Sequence, residues 1–283
     1  MNFLALMITL LLRQLRGVSD WVQRDEWFRR WETRVATWQL GSVGHLAMVV
    51  LPPLVVAQLL LNAVQTCVGG TLLWILLAVI MLLYALGRGD FQERMARYRS
   101  QCRAADFEGA YLDTLSDSGV TAASDKPQVQ EEVHALVQCT MFYEGYQRWF
   151  PVLFYFVLLG PVGALAYRLL QLCRDDVAAE LAGRCIVLAD WAPVRLLAAT
   201  FSLAGDFVGS RNTLFDRLGN LAFAPAQLLY EVGTAALDTS RSGATVGQSF
   251  SEYAARQNED AGNLLARSAI CWVAVIALIV LVD

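Results

Sequence analysis

The sequence predicts an all-α, multi-pass membrane protein with about three to five membrane-embedded segments, one of them broken or re-entrant, joined to cytoplasmic amphipathic helices. Three observations carry that expectation. The 283-residue chain is 56% hydrophobic and only 17% charged, more apolar and less charged than soluble domains are. Apolar runs recur at 43–61, 71–86, 150–167 and 264–282, and about 20 such residues cross a hydrocarbon layer about 30 Å thick as a helix. All 22 basic residues fall within 13–34, 88–148 and 168–267, the one-sided charge distribution that sets orientation in a bilayer.

Met1 to Leu12 is apolar apart from Asn2 and Thr9 and is followed by Arg13 and Arg16. It is too short to span and lacks a basic start and a small-residue cleavage site. It therefore reads as a retained helix lying along or dipping into the membrane. Residues 17 to 40 mix Trp21, Trp27, Trp31 and Trp38 with Arg24, Arg29, Arg30 and Arg34, a pairing suited to the lipid headgroup layer. The run 43–61, with Pro52 and Pro53 near its centre, and the run 71–86 form a hairpin. Its tip, Asn62 to Gly70, carries no charge and faces away from the cytoplasm, so the amino terminus and the segment after residue 87 are cytoplasmic.

From residue 88 a charged, solvated helix holds Glu93, Arg94, Arg97, Arg99 and Arg103, followed by a loop through Ser116 to Pro127. A helix then starts at Gln128. At 100° per residue Val129, Val133, Leu136, Val137, Thr140 and Met141 share one face, while Glu131, His134 and Gln138 face away. Glu144 falls on the apolar face. Either it pairs with Arg148 four residues on, or both project into a pocket beside the next element, where polar groups near a membrane tend to be functional.

That next element, 150–167, is uncharged but holds Gly160-Pro161 at its middle, and proline there removes a donor and clashes with the preceding turn. It is expected to be two half-helices that either cross or, folded at Gly160-Pro161, keep the Arg168, Arg174 and Arg184 flank on the cytoplasmic side. The segment 168–263 is read as amphipathic and soluble. Within it, Asp190 with Pro193 reads as a helix start, the aspartate capping free amides and the proline lying in the first turn. Arg195 sits one turn after Trp191, where it either stacks on the indole or holds a carboxylate or phosphate. A Ser/Thr/Gly loop at 238–251 precedes the last anchor, 264–282. The whole chain reads as a single membrane domain, 1–283.

The six cysteines form no C-x-x-C pair and have only His45 and His134 for company, so neither a disulfide framework nor a metal site is expected. A net charge of −4 with scattered basic residues excludes nucleic acid as a partner. The sole lysine, Lys126, lies in Ser-Asp-Lys-Pro, which rules out a P-loop; H-E-x-x-H, G-x-S-x-G and G-x-G-x-x-G are absent too. No cofactor is expected.

Pro151, Leu153-Phe154-Tyr155, Gly160-Pro161 and Gly163-Ala164-Leu165-Ala166-Tyr167-Arg168 form one block, and Asp190-Trp191-Ala192-Pro193-Val194-Arg195-Leu196-Leu197 a second. Together they resemble the AmpE family of bacterial inner-membrane proteins associated with control of inducible β-lactamase. The resemblance extends to length, terminal anchors and segment order. The same blocks resemble, more distantly, the membrane enzyme CbiB, also called CobD, which attaches an aminopropanol unit to cobyric acid by an amide bond. That enzyme family carries a Ser-Glu-Asn element before the first block and an Asn-Thr-Leu-Asp-Ser element after it; here those places hold 139–145 and 169–173 without those polar side chains.

The resemblance implies a multi-pass inner-membrane sensor or signalling component in the response to β-lactam or cell-wall stress, non-catalytic, with a small anionic ligand or a protein partner. The alternative is a CbiB-like amide-forming enzyme. The expected ligand site comprises Glu144, Arg148, Tyr155, Arg168, Asp190, Trp191 and Arg195. Arg168 and Arg195 hold the anion, and Glu144 and Asp190 orient them.

Overall fold

The computed structural model describes residues 2–14, 25–66, 69–86, 91–118, 129–175, 178–219, 224–237 and 249–282. Trp21, Arg24, Lys126 and most of the two loops expected at 116–127 and 238–251 lie outside the described residues. Among the described residues the fold is all-α, with no strand. The helices are α1 (Asn2–Gln14), α2 (Glu26–Ala36), α3 (Ser42–Gln65), α4 (Gly70–Ala85), α5 (Phe91–Arg103) and α6 (Phe107–Ser118). They continue as α7 (Gln130–Leu159), α8 (Pro161–Leu172), α9 (Ala179–Ala204), α10 (Phe207–Leu218), α11 (Pro225–Ala236) and α12 (Phe250–Val282).

Three of these, α3, α9 and α12, are long and apolar enough to cross a membrane, and α4 is a shorter apolar helix. Helix α9 falls in the stretch read as amphipathic and soluble. Its apolar residues outweigh Glu180, Arg184, Asp190 and Arg195 over 26 positions.

The chain forms two compact units. The first comprises Met1–Arg88, Arg148–Pro193 and Val275–Asp283; the second comprises Gly89–Gln147 and Val194–Ala274. In the first unit Ala5 and Leu6 of α1 pack with Trp74, Ala78 and Leu82 of α4, Val152 and Phe156 of α7, and Ala164 and Tyr167 of α8. A second cluster joins Phe28 and Val35 of α2 to Leu46, Val49 and Ala57 of α3, with Leu165 and Leu169 of α8. The outward faces are apolar as well: Leu51, Val55, Leu59 and Leu60 of α3 and Leu72, Leu73 and Leu76 of α4 are exposed. A contiguous apolar surface of this kind suits acyl chains, not water.

Two of the prolines inside these helices, Pro53 and Pro193, are accommodated by the same device. A proline at position i cannot donate to the carbonyl of residue i−4. In α3, Pro53 leaves the carbonyl of Val49 without its usual donor, and the indole Nε1–H of Trp31 on α2 donates to it at 3.2 Å. In α9, Pro193 does the same to Ala189, and the hydroxyl of Tyr155 on α7 donates at 2.8 Å. Neighbouring side chains thus restore hydrogen bonds that proline removes, which is how prolines persist in helices surrounded by lipid.

The expectation that Asp190 and Pro193 start a helix is therefore corrected. Both lie inside α9, which runs unbroken through them. Gly160-Pro161, by contrast, does break the chain: α7 ends at Leu159, Gly160 takes φ 74°, and Pro161 opens α8. With ψ −163° this backbone is essentially glycine-only and costs an L side chain about 1–3 kcal/mol, so glycine is the residue for that corner.

In the second unit Tyr98 and Cys102 of α5, Phe107, Ala110 and Tyr111 of α6, Val133 and Val137 of α7, and Ala254 and Ala255 of α12 form the core. Helix α6 begins well before the expected loop, and the Asp106 carboxylate accepts from the Gly109 amide at 2.9 Å in its first turn. Two residues of α7 assigned to the solvent face, His134 and Gln138, are buried. The helix is packed on more than one side, so its inward stripe is wider than the apolar residues alone mark.

The turn from α9 to α10 is held tightly. The Asp206 amide donates to the Ala236 carbonyl at the end of α11 at 2.8 Å, while its carboxylate accepts from the Val208 and Gly209 amides. A Cβ on Gly205 would stand 2.3 Å from that same Ala236 carbonyl, so only glycine fits there.

Candidate functional site

The residues expected to converge on one ligand fall in both units: Arg148, Tyr155, Arg168, Asp190 and Trp191 in the first, Glu144 and Arg195 in the second. In the first unit Tyr155, Tyr167 and Asp190 come together. The rings of Tyr155 and Tyr167 stack with centroids 5.7 Å apart and planes 21° from parallel, and the Tyr167 hydroxyl donates to Asp190 Oδ1 at 2.7 Å. Asp190 is wholly buried, and a buried carboxylate needs such donors to remain compatible with an apolar surround. The Tyr155 hydroxyl is committed to the Ala189 carbonyl. Tyr155 is therefore a helix-stabilising group in this structure, its hydroxyl bonded to the residue before Asp190.

Arg168 does hold an anion, but that anion belongs to the protein. Its Nη2 lies 3.4 Å from Asp25 Oδ2, with both side chains largely buried, and its Nη1 donates to Gln171 Oε1 at 3.4 Å. This pair ties the end of the α7–α8 block to the residue preceding α2. Arg148 is buried, while Trp191 is 45% exposed.

In the second unit Arg195 takes a different post. Its Nε–H donates to the carbonyl of Leu218, the last residue of α10, at 3.3 Å. The final carbonyls of a helix have no partner within it and favour a cation, so this bond sets Arg195 at a helix carboxyl terminus. Glu144 accepts from Arg94 Nη1 of α5 at 2.5 Å, a partner 50 residues away.

That pair marks a cleft that sequence reading missed. Helix α5 contributes Arg94, Arg97 and Gln101, α6 contributes Asp113, and α7 contributes Thr140 and Glu144. Gln101 Nε2 donates to Asp113 Oδ2 at 2.8 Å, and the Thr140 hydroxyl is committed to the Leu136 carbonyl. Arg97 is exposed at the rim and has no carboxylate partner among the described residues. The signal was present in the sequence: Arg94, Arg97 and Gln101 stand at i, i+3 and i+7, one side of a helix.

Beneath the cleft the His134 ring is engaged at both nitrogens, whereas buried Gln138 on the same helix has neither amide atom bonded among the described residues. Tyr98, which lines the floor, lies 2.6 Å from His134 Nδ1, and His134 Nε2 lies 2.7 Å from Gln257 Oε1. A neutral histidine with its proton on Nε2 satisfies both contacts: Nε2–H donates to Gln257, and the Tyr98 hydroxyl donates to Nδ1. Burial holds the His134 pKa below its usual value, against the opposing bond to Gln257. Burial likewise raises the Tyr98 hydroxyl and the Cys102 and Cys139 thiols, which keeps these thiols protonated and poorly nucleophilic. Among the described residues no three His, Cys, Asp or Glu side chains cluster as metal ligands.

No family model, no curated protein and no solved structure matches the chain.

Proposed function

We propose that this chain is a multi-pass inner-membrane sensor or signalling component in the response to β-lactam or cell-wall stress, with its amino terminus and the arginine-bearing helix α5 on the cytoplasmic side. The two blocks that resemble the AmpE family support the setting. The observation that carries the mechanism is the cleft at Arg94, Arg97 and Glu144.

The cleft is small, about 30 Å³, room for about two water molecules. A ligand therefore enters by one small charged group with its body outside. The exposed Arg97 beside the Arg94–Glu144 pair suits a carboxylate or phosphate head. Such a head competes with Glu144 for Arg94. The pair is partly exposed, and pairs of that kind contribute about 1 kcal/mol or less, so a modest ligand displaces Glu144 and loosens α5 from α7. Binding without turnover fits the surroundings: both ring nitrogens of His134 are engaged, and the nearby thiols are held protonated.

The test is native mass spectrometry of the detergent-purified protein, paired with complementation of β-lactamase induction in a strain lacking the chromosomal copy. Arg97→Ala and Arg94→Ala are expected to lose a co-purifying anionic molecule and to blunt induction. Variants that keep the same bound molecule and induce normally remove the cleft from the mechanism. If the unaltered chain fails to complement, the proposed physiological role falls.

A further inference from the structure

We infer that α10 is a membrane-surface helix whose outward face rests in the boundary between lipid headgroups and acyl chains. This inference is independent of the cleft. At 100° per residue, Phe207, Arg211, Phe215 and Val208 of α10 fall within a 100° arc, in that order. Phe207, Val208 and Phe215 are exposed, Val208 to 84%, while Leu214 and Ser210, which follow the Phe207 edge of the arc, are buried. A soluble helix places its apolar arc inward; here Phe207, Val208 and Phe215 point out.

The occupant is identified by what the arc continues. Helix α9, of membrane-crossing length, exposes Leu196 and Leu203, Leu203 to 74%. Only Gly205 and Asp206 separate α9 from α10, and the tight approach at Gly205 with the Asp206 bonds to Ala236 and to the first turn of α10 fixes that corner. The apolar face of a helix suited to acyl chains thus leads directly into the exposed face of α10. Aromatic residues interleaved with an arginine are the composition of the headgroup boundary, where the rings sink toward the chains and the guanidinium meets phosphate. Arg217 on the flank is engaged with Glu231 of α11 at 2.7 Å, which leaves Arg211 as the cation on the exposed arc.

The experiment reconstitutes the full chain in nanodiscs of phosphatidylethanolamine and phosphatidylglycerol containing a phospholipid with a diazirine on its acyl chain. After photolysis, adducts are mapped by peptide mass spectrometry. Val208 and Phe215 are expected to be labelled to within about threefold of Leu59 and Leu60 on α3, and a water-soluble diazirine to spare them. Val208→Glu with Phe215→Glu is expected to cut labelling of the segment severalfold while labelling of α3 stays unchanged. Labelling of 207–218 by the water-soluble reagent alone would mean a solvent-facing helix. Labelling by neither reagent would mean a protein cover, such as a second copy, and either result overturns the inference.

Discussion

Replacing Tyr155 by Phe removes one atom from the first unit and tests how α9 tolerates its proline. The ring remains stacked on Tyr167, so packing is preserved and only the 2.8 Å bond to the Ala189 carbonyl is lost. A buried carbonyl deprived of its donor costs about 1–3 kcal/mol. For a chain of this size each kcal/mol lowers the midpoint of thermal unfolding by roughly 2–4 °C, readable by tryptophan fluorescence in detergent. The decisive comparison is the same substitution in a Pro193→Ala background. Alanine restores an N–H four residues after Ala189, so the hydroxyl becomes redundant and its loss should cost less than about 0.5 kcal/mol. An equal effect of Tyr155→Phe in both backgrounds would refute the account, as would no effect in the native one. Were Tyr155 a ligand-holding group instead, the substitution would weaken ligand retention in both backgrounds without regard to Pro193.

Arg168→Met strands the Asp25 carboxylate in a largely buried position and should cost about 3 kcal/mol; Arg168→Met combined with Asp25→Asn should recover much of that loss in the same thermal assay. For His134, the folded state resists a proton that the unfolded chain accepts near 6.5. Stability should therefore be level above that pH and fall as pH drops below it, down to the depressed folded value. His134→Gln should flatten that slope in midpoints recorded from pH 8 to about pH 5. Gly160→Ala meets no atom within 4 Å and should cost only the backbone strain of φ 74° with ψ −163°, about 1–3 kcal/mol. Gly163→Ala would drive a Cβ to 2.5 Å from the Tyr155 carbonyl and should be the more damaging of the two in unfolding midpoint.

The parts of the fold legible in the sequence were those written in local pattern. Apolar runs marked α3, α4 and the end of α12, and the Gly160-Pro161 corner announced itself because proline and glycine act on their own stretch of backbone. What escaped depends on residues far apart in the chain. Asp190 and Pro193 satisfied every local rule for a helix start, and those rules cannot register a tyrosine 34 residues earlier that closes the gap at Ala189. Glu144 had an arginine one turn away and a second one 50 residues back, with which the fold joined it. His134 and Gln138 were placed outward because polar residues usually are, whereas the packing of α5 and α12 against α7 encloses them. Arg168 and Arg195 were recognised as anion-seeking groups, but the sequence did not disclose that Asp25 and the end of α10 would meet them.

Two of the helices with an internal proline, α3 and α9, also imply an order of events in biogenesis. Trp31 precedes Val49 by 18 residues and Tyr155 precedes Ala189 by 34; in each case the donor lies toward the amino terminus. Synthesis runs in that direction, so when α3 or α9 emerges with an exposed carbonyl, the side chain that will cover it has already been made. Neither helix has to wait in the lipid for a later segment to complete its backbone bonding.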